Sequence, residues 1–214
     1  MSAALKKNSD KVRVATVRTV ATHILPDVIS RFRQSHPGLT VDISEFDRYA
    51  SVEQMLRDGK ADIGFTLLPT SNEFQAWEIL REEFVALLPP AESTPSEQVT
   101  DAAGPMTWQQ LTAYPRIINK RSNRHNRIVE AHLAQAGYPM PVEYEVNEDS
   151  TLMGLVTKGL GAAIICRLEA EPIPPEVRVT LLPEPLERIV GVAISENTVL
   201  PRAVFAFLDV LLAM

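Results

Sequence analysis

Apolar and polar residues between positions 12 and 45 follow the order strand, helix, strand. Residues 12–17 form an apolar run typical of a strand, and residues 39–43 form a second β-rich run. Between them, four apolar residues recur at the spacing of one helical face: Leu25, Val28, Ile29 and Phe32. The helix is expected to end at Pro37-Gly38, because proline cannot continue a helix and glycine favours its end. The pattern predicts a βαβ unit.

The same kind of pattern continues along the chain. It predicts further strands at residues 62–68, 77–80, 84–88, 116–118, 142–146, 162–165, 178–182 and 189–194. It predicts further helices near residues 52–58, 107–113, 127–136, 150–158 and 201–212. Residues 89–105 are rich in proline, serine, threonine and alanine without periodicity, which indicates a loop.

The order of elements in the first half is repeated in the second. Val41 and Ile63 lie in successive predicted strands 22 residues apart, and Val142 and Ile164 show the same spacing. Two similar α/β subdomains are therefore expected, with mainly parallel strands joined by right-handed crossovers. Since ligands of such sheets bind beyond the carboxyl ends of the strands, we expect a ligand cleft between the two subdomains.

Composition narrows the class of protein. Of the 214 residues, 45% are hydrophobic and 22% charged, as in globular domains, and the formal net charge is −6. An acidic chain is unsuited to hold a nucleic-acid backbone or an anionic membrane. Neither a signal peptide nor a membrane-spanning apolar run is recognisable, so a cytoplasmic protein is expected. The single cysteine, Cys166, lies in an apolar run, which favours a buried inert thiol over a nucleophile.

Four stretches together resemble the effector-binding domain of LysR-type transcriptional regulators. They are residues 12–39, with Leu25-Pro26 and His36-Pro37-Gly38-Leu39; residues 56–65, LRDGKADIGF; residues 111–118, LTAYPRII; and residues 155–164, LVTKGLGAAI. Their order and spacing carry the resemblance, which covers about residues 11–212.

The resemblance implies an α/β fold like that of type II periplasmic binding proteins, with two Rossmann-like subdomains joined by two crossover strands. Residues 1–11 are expected to be a linker remnant, residues 12–87 with 188–214 subdomain I, and residues 88–187 subdomain II. The family's N-terminal helix-turn-helix domain has no counterpart in these residues, so this chain is expected to sense an effector and to reach DNA only through that missing domain. The resemblance also implies a homodimer or homotetramer, which pairs the helix at about 22–33 with that at about 127–135 of another protomer.

Candidate ligand-binding residues follow three predicted strands of subdomain I. The resemblance places the turn after the first strand in the cleft, where Arg18 can pair with a carboxylate and Thr19 can donate a hydrogen bond. Arg48 can bind an anion in bidentate fashion and Tyr49 offers a ring or a hydroxyl. Phe65 and Thr66 are expected in the pocket wall. The alternatives are a helix cap for Thr19, a solvated turn for Arg48, and a core position for Phe65.

Subdomain II contributes the most basic turn of the chain. Candidate ligand-binding residues there are Asn119, Lys120, Arg121 and Ser122, followed at the next strand end by Glu148. Two cations and a hydroxyl before a helix suit a small organic or inorganic anion. An acidic Glu148 in the same cleft indicates an effector of mixed polarity. The alternatives are a solvated face for residues 119–122 and, beside Glu148, helix capping by Asp149 or Ser150.

No motif indicates an enzyme or a cofactor. The four histidines show no metal-ligand spacing, and neither a glycine-rich phosphate loop nor a nucleophile elbow occurs, so no metal, cofactor or catalytic residue is assigned. The expected function is an effector-sensing regulatory domain. A solute-binding protein of a transporter and an enzyme on the same scaffold remain the alternatives.

Overall fold

The computed structural model describes residues 10–91, 106–120, 123–196 and 198–214. Its strands are β1 (Lys11–Val17), β2 (Thr40–Phe46), β3 (Ile63–Leu68), β4 (Phe74–Leu88), β5 (Arg116–Asn119), β6 (Val142–Val146), β7 (Ala163–Cys166), β8 (Arg178–Leu181) and β9 (Glu187–Ser195). Its helices are α1 (Arg18–His23), α2 (Leu25–Ser35), α3 (Tyr49–Arg57), α4 (Trp108–Leu111), α5 (Asn123–Ala136), α6 (Asp149–Thr157), α7 (Arg167–Ala170) and α8 (Arg202–Leu212).

The chain divides into two compact units, Met1–Arg81 with Ile189–Met214, and Glu82–Arg188. The division falls inside two strands, since β4 contains Arg81 and Glu82 and β9 contains Arg188 and Ile189. These are the two crossover strands that the family resemblance implies. The chain therefore passes between the units within extended backbone.

The first unit is a mixed sheet in the order β2-β1-β3-β9. β1 pairs in parallel with β2 and β3, whereas β9 is antiparallel to β3. Helices α2 and α8 pack against each other, and α3 packs on β1 and β3. Three of the four bulkiest fully buried side chains among the described residues lie in this core: Phe32, Phe65 and Phe207. The apolar residues whose helical spacing predicted α2 form its buried face, because Leu25, Val28 and Phe32 are fully buried from solvent.

The second unit repeats a parallel strand pair, β5 with β6, and joins it to β7 through an isolated bridge between Arg116 and Ala162. β4 pairs antiparallel with β7 on one side and with β8 on the other. α4 begins with a capping box, in which Thr107 and Gln110 satisfy each other's backbone N–H groups. The core lies on both faces of this sheet, with Trp108, Leu111 and Leu133 in one cluster and Leu152 and Val156 in another.

Three sequence-based expectations about elements are wrong. The strands expected at 77–80 and 84–88 are the single strand β4, although the charged residues 81–83 interrupt its apolar pattern. Arg18 and Thr19 do not form a turn but are the first two residues of α1. The sheets are mixed rather than mainly parallel, because β4 and β9 run antiparallel to their neighbours. In the described ranges, every helix is too short or too polar to cross a membrane.

Candidate functional site

In the first unit, the candidate residues of the first two strands lie at one edge of the sheet. β1 and β2 are parallel and in register, with Val17 opposite Phe46, so Arg18 and Arg48 follow neighbouring strand ends. Both arginines are exposed, Thr19 is half-buried, and Tyr49 is 8% exposed. Exposed guanidinium groups at helix starts suit the binding of an anion, since the first N–H groups of a helix carry partial positive charge.

Side-chain capping does not account for these positions. The N-cap of α1 is Val17 and that of α3 is Arg48, and neither N-cap side chain bonds to its helix. The alternative that Thr19 serves as the cap is therefore wrong.

The third strand of this unit contributes Phe65 and Thr66, and both are fully buried. Thr66 Oγ1 donates a hydrogen bond of 2.6 Å to Oε1 of Glu53, which lies on α3. Phe65 belongs to the hydrophobic core of the unit. In this structure the Thr66 hydroxyl thus links β3 to α3.

In the second unit, Asn119 joins three elements. Its side-chain Nδ2 donates to Oδ1 of Asp149, at the start of α6, at 2.6 Å. Its backbone carbonyl oxygen accepts from Nδ2 of Asn126 on α5 at 2.9 Å. Asn119 is only 6% exposed. β5 and β6 pair in parallel up to Asn119 and Val146. At these strand ends the side-chain amide of Asn119 holds the start of α6, and its backbone carbonyl holds the first turn of α5.

The remaining candidates of the second unit are peripheral or fall outside the described ranges. Lys120 is exposed, and its Nζ lies 2.8 Å from Oε2 of Glu145. Glu148 is an exposed N-cap whose side chain does not cap α6. Arg121 and Ser122 lie outside the described residues.

A small pocket of the second unit opens beside Asn119. Its volume is about 10 Å³, close to the space that one water molecule needs. The pocket is lined by Ile117, Ile118, Asn119, His125, Asn126, Leu152, Ile164 and Ile165. It can hold a water molecule but not a metabolite.

Sequence reasoning missed a buried polar cluster in the second unit. We call Glu82, His125, Cys166, Glu169 and Arg188 the buried polar cluster. Arg188 Nε donates to Glu82 Oε2 at 2.6 Å, and His125 Nδ1 lies 2.9 Å from Glu169 Oε2. These residues come from β4, α5, β7, α7 and β9, so no local spacing could have brought them together. The only sign of the Glu82–Arg188 pair in the sequence is that β4 and β9 each contain charged residues between apolar ones.

Burial raises the pKa of the Cys166 thiol well above its usual range, because a thiolate would lose its hydration; the two carboxylates nearby raise the pKa further, while Arg188 opposes them. The raised pKa leaves even less thiolate at pH 8 than a free cysteine has. We therefore expect the native protein to react with an aromatic disulfide reagent at pH 8 far more slowly than the same protein in urea. Release of the coloured thiol, followed by absorbance, measures this. Equal rates in both conditions would show that Cys166 is accessible.

Comparison with known proteins identifies the family. The model of the LysR substrate binding domain matches residues 6–214. The chain is 47% identical over 200 residues to the probable HTH-type transcriptional regulator LrrA of Synechococcus elongatus, covering 94% of this chain and 65% of that protein. The chain thus spans somewhat less than two thirds of that relative.

Two solved structures show the same fold at low identity. The effector-binding domain of QuiR in complex with shikimate superposes with a TM-score of 0.78 at 18% identity, covering 95% of each chain. The regulatory domain of Synechocystis PCC6803 CcmR in complex with 2-PG gives 0.79 at 15% identity, covering 95% of this chain and 96% of that one. These likenesses confirm the expected α/β fold of the type II periplasmic-binding-protein kind. The family is not one of enzymes, which confirms the non-enzymatic interpretation. The chain belongs to the family of LysR substrate-binding domains, the effector-binding regulatory domains of LysR-type transcriptional regulators.

Proposed function

We propose that this domain senses a small anionic metabolite and passes the signal to a DNA-binding helix-turn-helix domain of the whole regulator. The match to the LysR substrate-binding family over residues 6–214 carries the proposal. Two proteins of the same fold are solved with small molecules bound, shikimate in one and 2-PG in the other, and shikimate is a carboxylate. A ligand controls such a domain only if it binds two conformations with different affinity.

The residues proposed to contact the effector are those at the strand ends of each unit. In the first unit they are Arg18, Thr19, Arg48 and Tyr49. Phe65 and Thr66 are fully buried, so we propose that they support the pocket wall from within the core. In the second unit they are Asn119, Lys120, Arg121, Ser122 and Glu148. The exposed guanidinium groups of Arg18 and Arg48 support an anionic ligand, since both follow the paired ends of β1 and β2.

We expect a thermal-shift screen with small carboxylates, aromatic acids, amino acids and inorganic anions to give a clear hit. A ligand at 100 times its Kd adds about 2.7 kcal/mol to the free energy of unfolding. Calorimetric titration of the hit should then show at least ~10-fold weaker binding for Thr19→Val and for Arg121→Ala, since each loses a bond to the ligand.

Matched controls lie on the same helix or in the same unit. Thr22→Val alters an exposed threonine one turn further along α1, and Arg167→Ala alters an exposed arginine on α7, in the same unit as Arg121. Both controls should keep the affinity of the unaltered chain. Unchanged affinity in Thr19→Val and Arg121→Ala would remove those residues from the site, and an unresponsive domain would argue against the sensing role.

We also propose that the domain forms homodimers or homotetramers through α2 and α5 of neighbouring protomers. Both helices are amphipathic and leave a solvent-exposed face: α2 exposes Ser30, Arg31 and Gln34, and α5 exposes Ala131, Ala134 and Gln135. A small residue such as Ala134 allows another helix to approach closely.

Ala134→Glu is therefore expected to weaken self-association at least ~10-fold, because a bulky charge would be buried in the interface. Sedimentation equilibrium of the unaltered and altered proteins measures the change. Ala50→Glu, an exposed alanine on α3 with the same change of charge, is the control. If both variants associate like the unaltered protein, α5 is not the interface.

A further inference from the structure

The buried polar cluster holds three side chains with different metal-binding atoms. His125 lies on α5, Cys166 ends β7, and Glu169 lies on α7. One nitrogen, one sulfur and one carboxylate oxygen from these residues all lie within 4.8 Å of one another. His125 and Cys166 are buried, with Cys166 at 0% exposure, and the Glu169 side chain is 9% exposed.

We propose that His125, Cys166 and Glu169 bind a divalent transition-metal ion, with zinc the best match. Imidazole, thiolate and carboxylate are the three ligand types of protein zinc sites, and a thiolate disfavours magnesium and calcium. This proposal is independent of the effector proposed above.

The geometry requires only small movements. With bonds of 2.0–2.3 Å to the metal, the ligand atoms of a tetrahedral site lie roughly 3.5 Å apart. His125 Nδ1 and Glu169 Oε2 are already 2.9 Å apart. A pair at the 4.8 Å limit therefore has to close by about 1.3 Å, and the Nδ1–Oε2 pair has to open by about 0.6 Å. Cys166 and Glu169 lie three residues apart across the β7–α7 junction, so one local adjustment can move both.

The charges of the cluster also fit a divalent ion. Arg188 and Glu82 form a closed pair, with Nε and NH2 of the guanidinium 2.6 and 2.5 Å from the same carboxylate oxygen. The other groups of the buried polar cluster are the carboxylate of Glu169, the thiol of Cys166 and the imidazole of His125. Loss of the thiol proton to solvent gives two negative charges, which balance M²⁺ and leave the buried site neutral.

The positive charge of Arg188 is the main factor that opposes metal binding in the cluster. Its NH1 lies 3.3 Å from His125 Nδ1 and 3.7 Å from Glu169 Oε2, so a cation there meets positive charge. Two of its nitrogens contact one oxygen of Glu82, which offsets that charge locally, and the contact of His125 Nδ1 with Glu169 is shorter than that with Arg188. The tautomer with its hydrogen on Nε2 leaves the lone pair of Nδ1 for the metal, and in that tautomer Nδ1 also accepts from Arg188 NH1.

Three protein ligands leave the fourth position of a tetrahedral zinc ion to a water molecule, as is common for zinc sites with three protein ligands. A metal held in this way would fix the start of α5 to the junction between β7 and α7.

Cobalt(II) reports such a site directly, because a thiolate ligand gives a charge-transfer band in the near ultraviolet. We expect the metal-free protein to develop this band on titration with cobalt, zinc to abolish it by displacement, and zinc to raise the melting temperature. Cys166→Ser should lose the band. His125→Gln and Glu169→Gln should each weaken zinc binding by more than the ~10–100-fold that loss of an outer-shell partner costs, because each removes a direct ligand. His132→Gln, on the same helix outside the cluster, should bind as the unaltered protein does.

Circular dichroism establishes that each variant is folded before it is titrated. If Cys166→Ser fails to fold, the band in Glu169→Gln and its zinc affinity decide the question. Absence of the band in the unaltered protein, or a band and affinity that persist in the folded variants, would overturn the proposal and assign any bound metal to another site.

Discussion

Replacing Arg188 by methionine is expected to lower the free energy of unfolding by about 3–5 kcal/mol. The guanidinium is 2% exposed and touches the carboxylate of Glu82, whose side chain is 3% exposed. It also lies 3.7 Å from Glu169 Oε2. Removing it leaves the Glu82 carboxylate buried without its cation, while Glu169 keeps its contact with His125. A buried charge without a partner is far more costly than a buried pair. Urea denaturation, with the midpoint and slope fitted for each variant, measures the loss.

Two further variants distinguish the effect of breaking the buried Glu82–Arg188 pair from the effect of removing any arginine. The double variant Glu82→Leu/Arg188→Met removes both members, so most of the lost stability should return. Arg81→Met removes the arginine next to Glu82 in sequence, which makes an exposed ion pair of 3.0 Å with Glu78. That change should cost less than ~1 kcal/mol. If Arg188→Met costs no more than Arg81→Met, the buried pair contributes nothing specific to stability.

The elements that bury one apolar face were predictable. Leu25, Val28 and Phe32 report the buried face of α2 because helical geometry returns them to one side every three or four residues. The matched spacing of Val41 to Ile63 and Val142 to Ile164 predicted the repeat, since α3 and α6 have nine residues each. β2 and β3 lie on either side of β1, as β6 and β7 do of β5.

The continuity of β4 was not predictable from its own residues. Arg81, Glu82 and Glu83 resemble a solvated turn, and charged residues are rarely buried without a partner. The partner of Glu82 is Arg188, which lies 106 residues further along the chain. A strand whose charge is neutralised by a distant residue cannot be distinguished from two strands and a turn by local pattern.

The sequence predicted where the candidate residues lie in the sheet better than it predicted the hydrogen-bond partners of their side chains. Parallel strands end at one edge, so Arg18 and Arg48 were expected near each other and follow the paired ends of β1 and β2. The hydrogen bond from Asn119 to Asp149 was not foreseen, because Asp149 was interpreted as a cap. Side-chain partners across the chain depend on packing, which residue types alone do not determine.

Gly161→Ala is expected to cost about 3 kcal/mol, the upper end of what a single overpacked methyl group costs. A Cβ at this position would overlap the carbonyl oxygen of Pro115 and lie 3.2 Å from Cγ1 of Ile117. That carbonyl accepts the hydrogen bond from Ala162 N at 2.8 Å, and Ile117 N donates to Ala162 O at 2.9 Å. The methyl group therefore has to push apart the two backbones that join β5 to β7, rather than displace a flexible side chain.

Gly154→Ala provides the opposite result in the same unit. Gly154 is exposed on α6, and a Cβ there meets nothing within 4 Å. Alanine should raise stability by up to ~1 kcal/mol, because it has the higher helix propensity. Thermal and urea unfolding of both variants measure the two changes in stability. Similar changes in both would show that the backbone at Pro115 moves away from the added methyl group without loss of stability.

Since β5 leads to Asn119 and β7 to Cys166, a forced separation of these strands should also shift the ends of both strands. We therefore expect Gly161→Ala, but not Gly154→Ala, to expose the Cys166 thiol to the disulfide reagent under native conditions.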